Sequence, residues 1–223
     1  MRTILWDLDG TLLTTRGAGA IPFASAIETV LGRKIYFDIS GNAGLTDHQI
    51  AERYLLESAK IGEMKELIDS IVHLYSSKLR ETFSRNKVKP LPGIEELLST
   101  LKSIGNFQLA VVTGNCEIGA FEKLESSNLD KFFEIPNIFY SLGLGPRSEI
   151  VLRALRHLEI SNNDAILVGD TIHDLKAAQY CSVPFVLLRN SSNSDLAIDD
   201  FPNAFSIGPE WQPFDFLDLL NKV

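Results

Sequence analysis

Ile4-Leu5-Trp6-Asp7-Leu8-Asp9-Gly10-Thr11-Leu12 is an apolar run that ends in two acids spaced two apart, with a glycine directly after them. A β-strand alternates its side chains between faces, so Asp7 and Asp9 would project the same way from a strand's C-terminal tip. Two carboxylates converging there are costly unless a cation, a proton or a reaction uses them. Gly10 lets the backbone turn sharply where a bulkier residue would resist. Taken alone, the stretch also reads as a strand end with solvated acids and a turn glycine.

Two more apolar runs weigh against that plainer reading. Leu109-Ala110-Val111-Val112 leads into Thr113-Gly114-Asn115, and Ala165-Ile166-Leu167-Val168 leads into Gly169-Asp170. Asp174 follows four residues later, where a helix carrying Leu175, Ala177, Ala178 and Cys181 is expected to begin. Three buried-type strands thus each end in small polar or acidic residues. In open parallel sheets, ligands bind outside the carboxyl ends of the strands, near the switch point.

Helical stripes separate these strands. Ile94, Leu97, Leu98, Leu101 and Ile104 share one face, stopped by Gly105, and Ile150, Val151, Ala154, Leu155 and Leu158 share another. From Thr14 to about Lys89 the strand runs give way to helices. Phe23, Ile27, Val30 and Leu31 form a stripe closed by Gly32. Ile50, Tyr54 and Leu55 form a second, with Thr46 or Asp47 as its cap, and Met64 to Leu79 the longest. Pro90-Leu91-Pro92-Gly93 ends this helical unit, because proline neither continues a helix nor tolerates one just before it. Alternating strands and helices predict an α/β fold: a mostly parallel sheet covered on both faces.

Bulk properties narrow the function. At 223 residues, 45% hydrophobic and 22% charged, the chain can bury a sizeable core as one domain with an insert. No apolar stretch approaches the ~20 residues that span a bilayer, and the N-terminus lacks a signal-peptide pattern, so a cytoplasmic protein with no membrane role is expected. Cys116 and Cys181 have no metal-type spacing and are expected as reduced thiols. A net charge of −8 argues against nucleic acid as a partner. His48, His73, His157 and His173 show no paired ligand spacing, which argues against zinc. Nothing in the sequence speaks to oligomeric state.

The chain resembles the haloacid dehalogenase-like hydrolase superfamily. Asp7-x-Asp9-Gly10-Thr11 looks like its first motif, Thr113-Gly114-Asn115 its second, and Gly169-Asp170-x-x-x-Asp174 its fourth. Leu91-Pro92-Gly93 and Gly169-Asp170-Thr171 look most like phosphoglycolate phosphatase-type members. The resemblance implies a Rossmann-like core (1–13 and 91–223) with an inserted α-helical cap (14–90). It also implies a magnesium-dependent phosphatase that acts on a small phosphorylated metabolite.

Within that resemblance Asp7 is the nucleophile, and Asp9 the general acid and base. Asp7, Asp170 and the Asp9 main-chain carbonyl are the Mg2+ ligands, with Asp174 supporting the metal site. Gly10, Thr11, Thr113, Gly114 and Asn115 would cradle the phosphoryl oxygens. Thr113 also reads simply as a helix cap. The family usually places a lysine between the second and fourth motifs; here the best match is Arg147, in Gly145-Pro146-Arg147. Arginine is permanently charged and forks onto carboxylate or phosphate oxygens, but its reach differs from lysine's. The competing reading of Arg147 is an exposed residue ahead of a helix. Lys123, within a helix, and Lys131, on a loop, read as worse placed. Arg16, Asn42, Thr46 and Asp47, in the polar joins of the insert, are the candidates for specificity, and plain loop residues are the alternative. Competing functions are a phosphomutase of the same superfamily and a non-catalytic binding module on the same fold. A dehalogenase is disfavoured by Asp9.

Overall fold

The computed structural model describes residues 1–56, 61–85, 88–190, 193–198 and 201–223. Its centre is a six-stranded parallel sheet of β1 (Arg2–Trp6), β4 (Phe107–Val112), β5 (Ile138–Phe139), β6 (Ala165–Gly169), β7 (Phe185–Leu188) and β8 (Ala204–Ile207), in spatial order β5-β4-β1-β6-β7-β8. β1 pairs on one side with β4 and on the other with β6, with Ile4 opposite both Leu109 and Ile166. The connections run to opposite sides of β1 there, so the switch point falls at the carboxyl end of β1.

Strand alternation divides the core between two faces. Ile4, Trp6, Leu109, Val111, Ile166 and Val168 belong to one buried cluster; Leu5, Ala110, Val112 and Leu167 belong to the other. A parallel sheet is buried on both sides, which is why these strands read as continuous apolar runs. The first face is covered by α4 (Ile94–Ile104), α5 (Glu117–Ser127) and α8 (Pro213–Leu220), where the Phe216 ring stacks on Trp6 at 5.3 Å between centroids. The second is covered by α6 (Arg147–His157) and α7 (Ile172–Cys181), through Val151, Ala154, Leu175 and Ala177.

The helical insert consists of α1 (Ala20–Leu31), α2 (Asp47–Leu55) and α3 (Met64–Arg85). It leaves and rejoins the core through a two-stranded antiparallel ribbon, β2 (Leu13–Thr14) with β3 (Lys89–Pro90). That ribbon escapes a sequence reading, since two residues per strand are too short for any periodicity. Phe23 and Ile27 on α1 meet Ile68, Ile71, Tyr75 and Leu79 on α3, and this packing is continuous with the first face of the core. Gly32 ends α1 in the left-handed conformation, its N–H donating to the Glu28 carbonyl at 2.9 Å. Among the described residues, no helix is long and apolar enough to cross a membrane.

Candidate active site

Asp7 follows the last residue of β1 and is held from both sides. Its N–H donates to the Val168 carbonyl at 3.0 Å, and its carboxylate is almost fully buried. Arg147, the first residue of α6, reaches it from across the sheet. One terminal nitrogen of its guanidinium donates to Asp7 Oδ1 at 2.7 Å and also to Asp174 Oδ1. Arg147 is itself buried, and its Nε–H has no protein partner among the described residues. It is therefore not an exposed residue ahead of a helix.

Asp174 sits in the first turn of α7 as half of a capping box. Its Oδ2 accepts from the Thr171 N–H at 3.0 Å and hydroxyl at 2.6 Å. Both of its oxygens are thus engaged. Asp170 lies one step earlier, against Gly10. Gly10 has φ +83°, and a Cβ there would fall 2.2 Å from Asp170 Oδ2, so the site needs glycine for both shape and space. Thr11 is fully buried and its hydroxyl donates to Asp170 Oδ1 at 3.3 Å; Asn190 Nδ2 donates to Oδ2 at 3.2 Å.

Single oxygens of Asp7, Asp170 and Asp174 lie within 4.8 Å of one another. Burial, more than any neighbour, drives the Asp7 carboxyl well above its ordinary value; Arg147 opposes this, and Asp174 and Asp170 add to it. Burial and then Asp174 push Asp170 up to about 7, although the Asn190 amide resists. Burial works against the Arg147 charge, but Asp174 and Asp7 more than reverse that and hold its pKa above the ordinary value. Arg147 bonds Asp7 and Asp174, while among the described residues the Asp170 carboxylate accepts from the Asn190 amide and the Thr11 hydroxyl. A crowded set of hard oxygen donors with one carboxylate left without an ion-pair partner fits a small divalent cation.

Asp9 belongs to a second, separate network. Its Oδ2 accepts from Lys123 Nζ at 2.5 Å and from Asn115 Nδ2 at 2.8 Å. Lys123 also donates to Asn115 Oδ1 at 2.5 Å, and Asn115 donates to the Thr113 hydroxyl through Nδ2 (2.6 Å) and N–H (3.2 Å). Thr113 does not cap α5, since Cys116 occupies that position. Lys123, read from the sequence as less well placed than Arg147, is buried against Asp9. A signal was there: Ala120, Lys123, Leu124 and Ser127 fall on one helical face, and all are buried. A lysine on such a stripe must find a carboxylate.

The insert closes over these groups. Thr46 caps α2 in a reciprocal box with Gln49. Asp47 Oδ2 accepts from the Cys116 N–H at 2.7 Å, while the Asp47 N–H donates to the Gly114 carbonyl at 2.9 Å. These two bonds tie the start of α2 to the turn after β4. Asn42 is buried; it accepts from Arg53 and donates to the Tyr54 hydroxyl. Gly44 packs against α7, where a Cβ would lie 2.6 Å from His173 Cδ2. A cavity of about 190 Å³ remains between insert and core, lined by Asp7, Asp9, Asn42, Asp47, Gly114, Asn115, Lys123 and Arg147. Arg16 lies outside it, exposed on a neighbouring groove with Lys78 and Lys89. Gly10 and Thr11 line a different pocket, together with Trp211.

The chain is 29% identical over 188 residues to a pyrophosphatase PpaX from Halalkalibacterium halodurans, covering 82% of this chain and 81% of that one. It is 29% identical over 185 residues to a phosphoglycolate phosphatase from Aquifex aeolicus, covering 80% of each. The crystal structure of a predicted phosphatase from Clostridium acetobutylicum superposes with a TM-score of 0.70 at 22% identity, over 100% of this chain and 99% of that one. Residues 4–188, which hold every strand tip described above, match the haloacid dehalogenase-like hydrolase family, and the chain belongs to it.

Proposed function

We propose that the protein is a magnesium-dependent phosphatase that hydrolyses a small phosphomonoester through an aspartyl-phosphate on Asp7. The observation that carries this reading is the separation of two carboxylates from one strand tip: Asp7 bonded to Arg147, Asp9 bonded to Lys123 and Asn115.

Asp7 and Asp170, with the Asp9 main-chain carbonyl, would hold Mg2+, and Asp174 would support the site while anchoring Arg147. The ion supplies positive charge that lets a carboxylate approach an anionic phosphoryl group. Arg147 orients Asp7 and shares that work, in the place where the family usually has a lysine. The Asp7 carboxylate attacks phosphorus and the bond to the leaving oxygen breaks, while Asp9 delivers its proton to that oxygen. A water then attacks the aspartyl-phosphate, Asp9 takes its proton, and phosphate leaves with Asp7 restored. Lys123 and Asn115 hold Asp9 in one orientation through both steps. The Thr113–Asn115 turn faces the phosphoryl oxygens, while Gly10 and Thr11 act by seating Asp170. The insert, residues 14–90, excludes bulk water and hinges at the β2–β3 ribbon.

The test is phosphate release from an aryl phosphate by the purified protein. Activity falls to background in Asp7→Asn and on chelation of the metal, and Asp9→Asn costs about 10²–10⁴-fold. Undiminished turnover in Asp7→Asn removes the nucleophile assignment; activity insensitive to chelation removes the metal.

A further inference from the structure

The side of the cavity formed by the insert has a different character from the strand tips. Phe23, Phe37, Ile39, Leu45 and Ile50 make it largely apolar, with Thr15, Asn42, Asp47 and Tyr75 as the polar side chains among them; the Asn42 amide is already bonded to Arg53 and Tyr54. Tyr75 is 3% exposed, its ring packed on Phe23 at 4.3 Å between centroids. A Cβ on Gly19 would meet the Tyr75 hydroxyl oxygen at 3.2 Å, and Gly19 lines the same cavity, so the hydroxyl end of the ring borders the open space. Among the described residues this hydroxyl makes no hydrogen bond. A buried hydroxyl at a cavity wall without a protein partner is a donor waiting for a ligand oxygen.

Charge and size restrict that ligand. Lys123 and Arg147 are the cations of the lining among the described residues, and both are spent on carboxylates at the phosphoryl end. A carboxylate or second phosphoryl group on the leaving side would lose water against apolar side chains and would face Asp47, while Lys123, the lining cation that acts on Asp47, is already paired with Asp9. The cavity measures about 190 Å³, which suits a small phosphate ester.

We infer that the substrate is the phosphate monoester of a small, uncharged, hydroxylated alcohol, and that the Tyr75 hydroxyl donates to an oxygen of that alcohol and sets specificity. This rests on the phosphatase reading and goes beyond it: the related pyrophosphatase and phosphoglycolate phosphatase are named for substrates with a second anionic group beside the reacting phosphoryl, which this wall disfavours.

The experiment measures phosphate release by the full chain with Mg2+ from glycerol 3-phosphate, propyl phosphate, phosphoglycolate and pyrophosphate, with an aryl phosphate as reference. Glycerol 3-phosphate is expected to exceed both phosphoglycolate and pyrophosphate in kcat/KM by at least about tenfold. Tyr75→Phe is expected to raise KM for glycerol 3-phosphate about tenfold, the loss of one hydrogen bond, and to leave propyl phosphate within about twofold. A cation added at the cavity mouth by Ile39→Arg is expected to improve phosphoglycolate selectively. Preference for phosphoglycolate or pyrophosphate in the unaltered protein overturns the inference. So does an equal loss on both alcohol esters in Tyr75→Phe, which reduces the side chain to packing. If the aryl phosphate is turned over and none of the four is, the inference alone falls; if no phosphate is released from any ester, the proposed function falls and takes the inference with it.

Discussion

Arg147 carries two buried acids on one guanidinium, and its value to the molecule is set by what its loss would strand. Asp7 and Asp174 would remain buried without a counter-charge, a situation that costs about 3–5 kcal/mol when one partner of a buried pair is removed. Arg147→Met is therefore expected to destabilise the metal-free protein by roughly that amount, as read by urea denaturation. Arg147→Lys keeps the charge but on a shorter side chain of different geometry, and should fall between the two. Equal stability of all three proteins would mean that the ion pairs contribute nothing net. Lys123 teaches the complementary lesson. In the sequence Arg147 stands out because it precedes a helix in the right interval, while Lys123 lies within one. The structure uses both, and assigns each to a different carboxylate of the first motif.

At the scale of elements, the site is a set of strand tips and helix starts held together by capping. Thr46 with Gln49 and Thr171 with Asp174 are reciprocal boxes whose spacing can be read directly from the chain. The left-handed stops at Gly32 and Gly105 can be read in the same way. What these caps do besides starting helices is not legible: Asp174 serves its own helix with one oxygen and Arg147 with the other, and Asp47 reaches past α2 to the backbone of Cys116. The turn after β1 shows how tightly the elements meet. Gly10→Ala would force a side chain into a left-handed backbone, at about 1–2 kcal/mol, and would thrust a methyl group onto the Asp170 carboxylate. We expect lower thermal stability together with a weakened Mg2+ affinity by calorimetry. Wild-type metal binding in Gly10→Ala would show that Asp170 can move aside without consequence.

For the molecule as a whole, the acidic cluster makes stability depend on pH in an unusual direction. An ordinary Asp titrates near 3.8, whereas folding raises Asp170 to about 7, mainly by burial and then by Asp174. Between those values the folded chain keeps a proton that the unfolded chain has lost. The destabilisation from Asp170 is thus absent below about pH 4, grows as pH rises, and is complete above about pH 7. In chelator, Asp170→Asn should be more stable than the wild type at pH 8 and lose most of that advantage at pH 5, as read by melting temperatures. The rise in wild-type melting temperature on adding Mg2+ should be larger at pH 8 than at pH 5, because the ion competes with protons for the same oxygens. A gap independent of pH would remove Asp170 as its source.

The insert and the core meet through contacts between residues far apart in the chain, such as Asp47 with Cys116 and with Gly114. The amino-acid sequence by itself determined the parallel α/β core, the helical insert, the three acidic or polar strand tips and the hydrolase family, because periodicity, caps and motif spacing are local properties of the chain. Only the tertiary structure decided which cation faces which carboxylate, that Arg16 lies outside the cavity while Tyr75 lines it, and that the β2–β3 ribbon closes the insert. Those outcomes depend on how separately formed elements pack, and a lysine, tyrosine or arginine carries no mark in the sequence of the distant group it will meet.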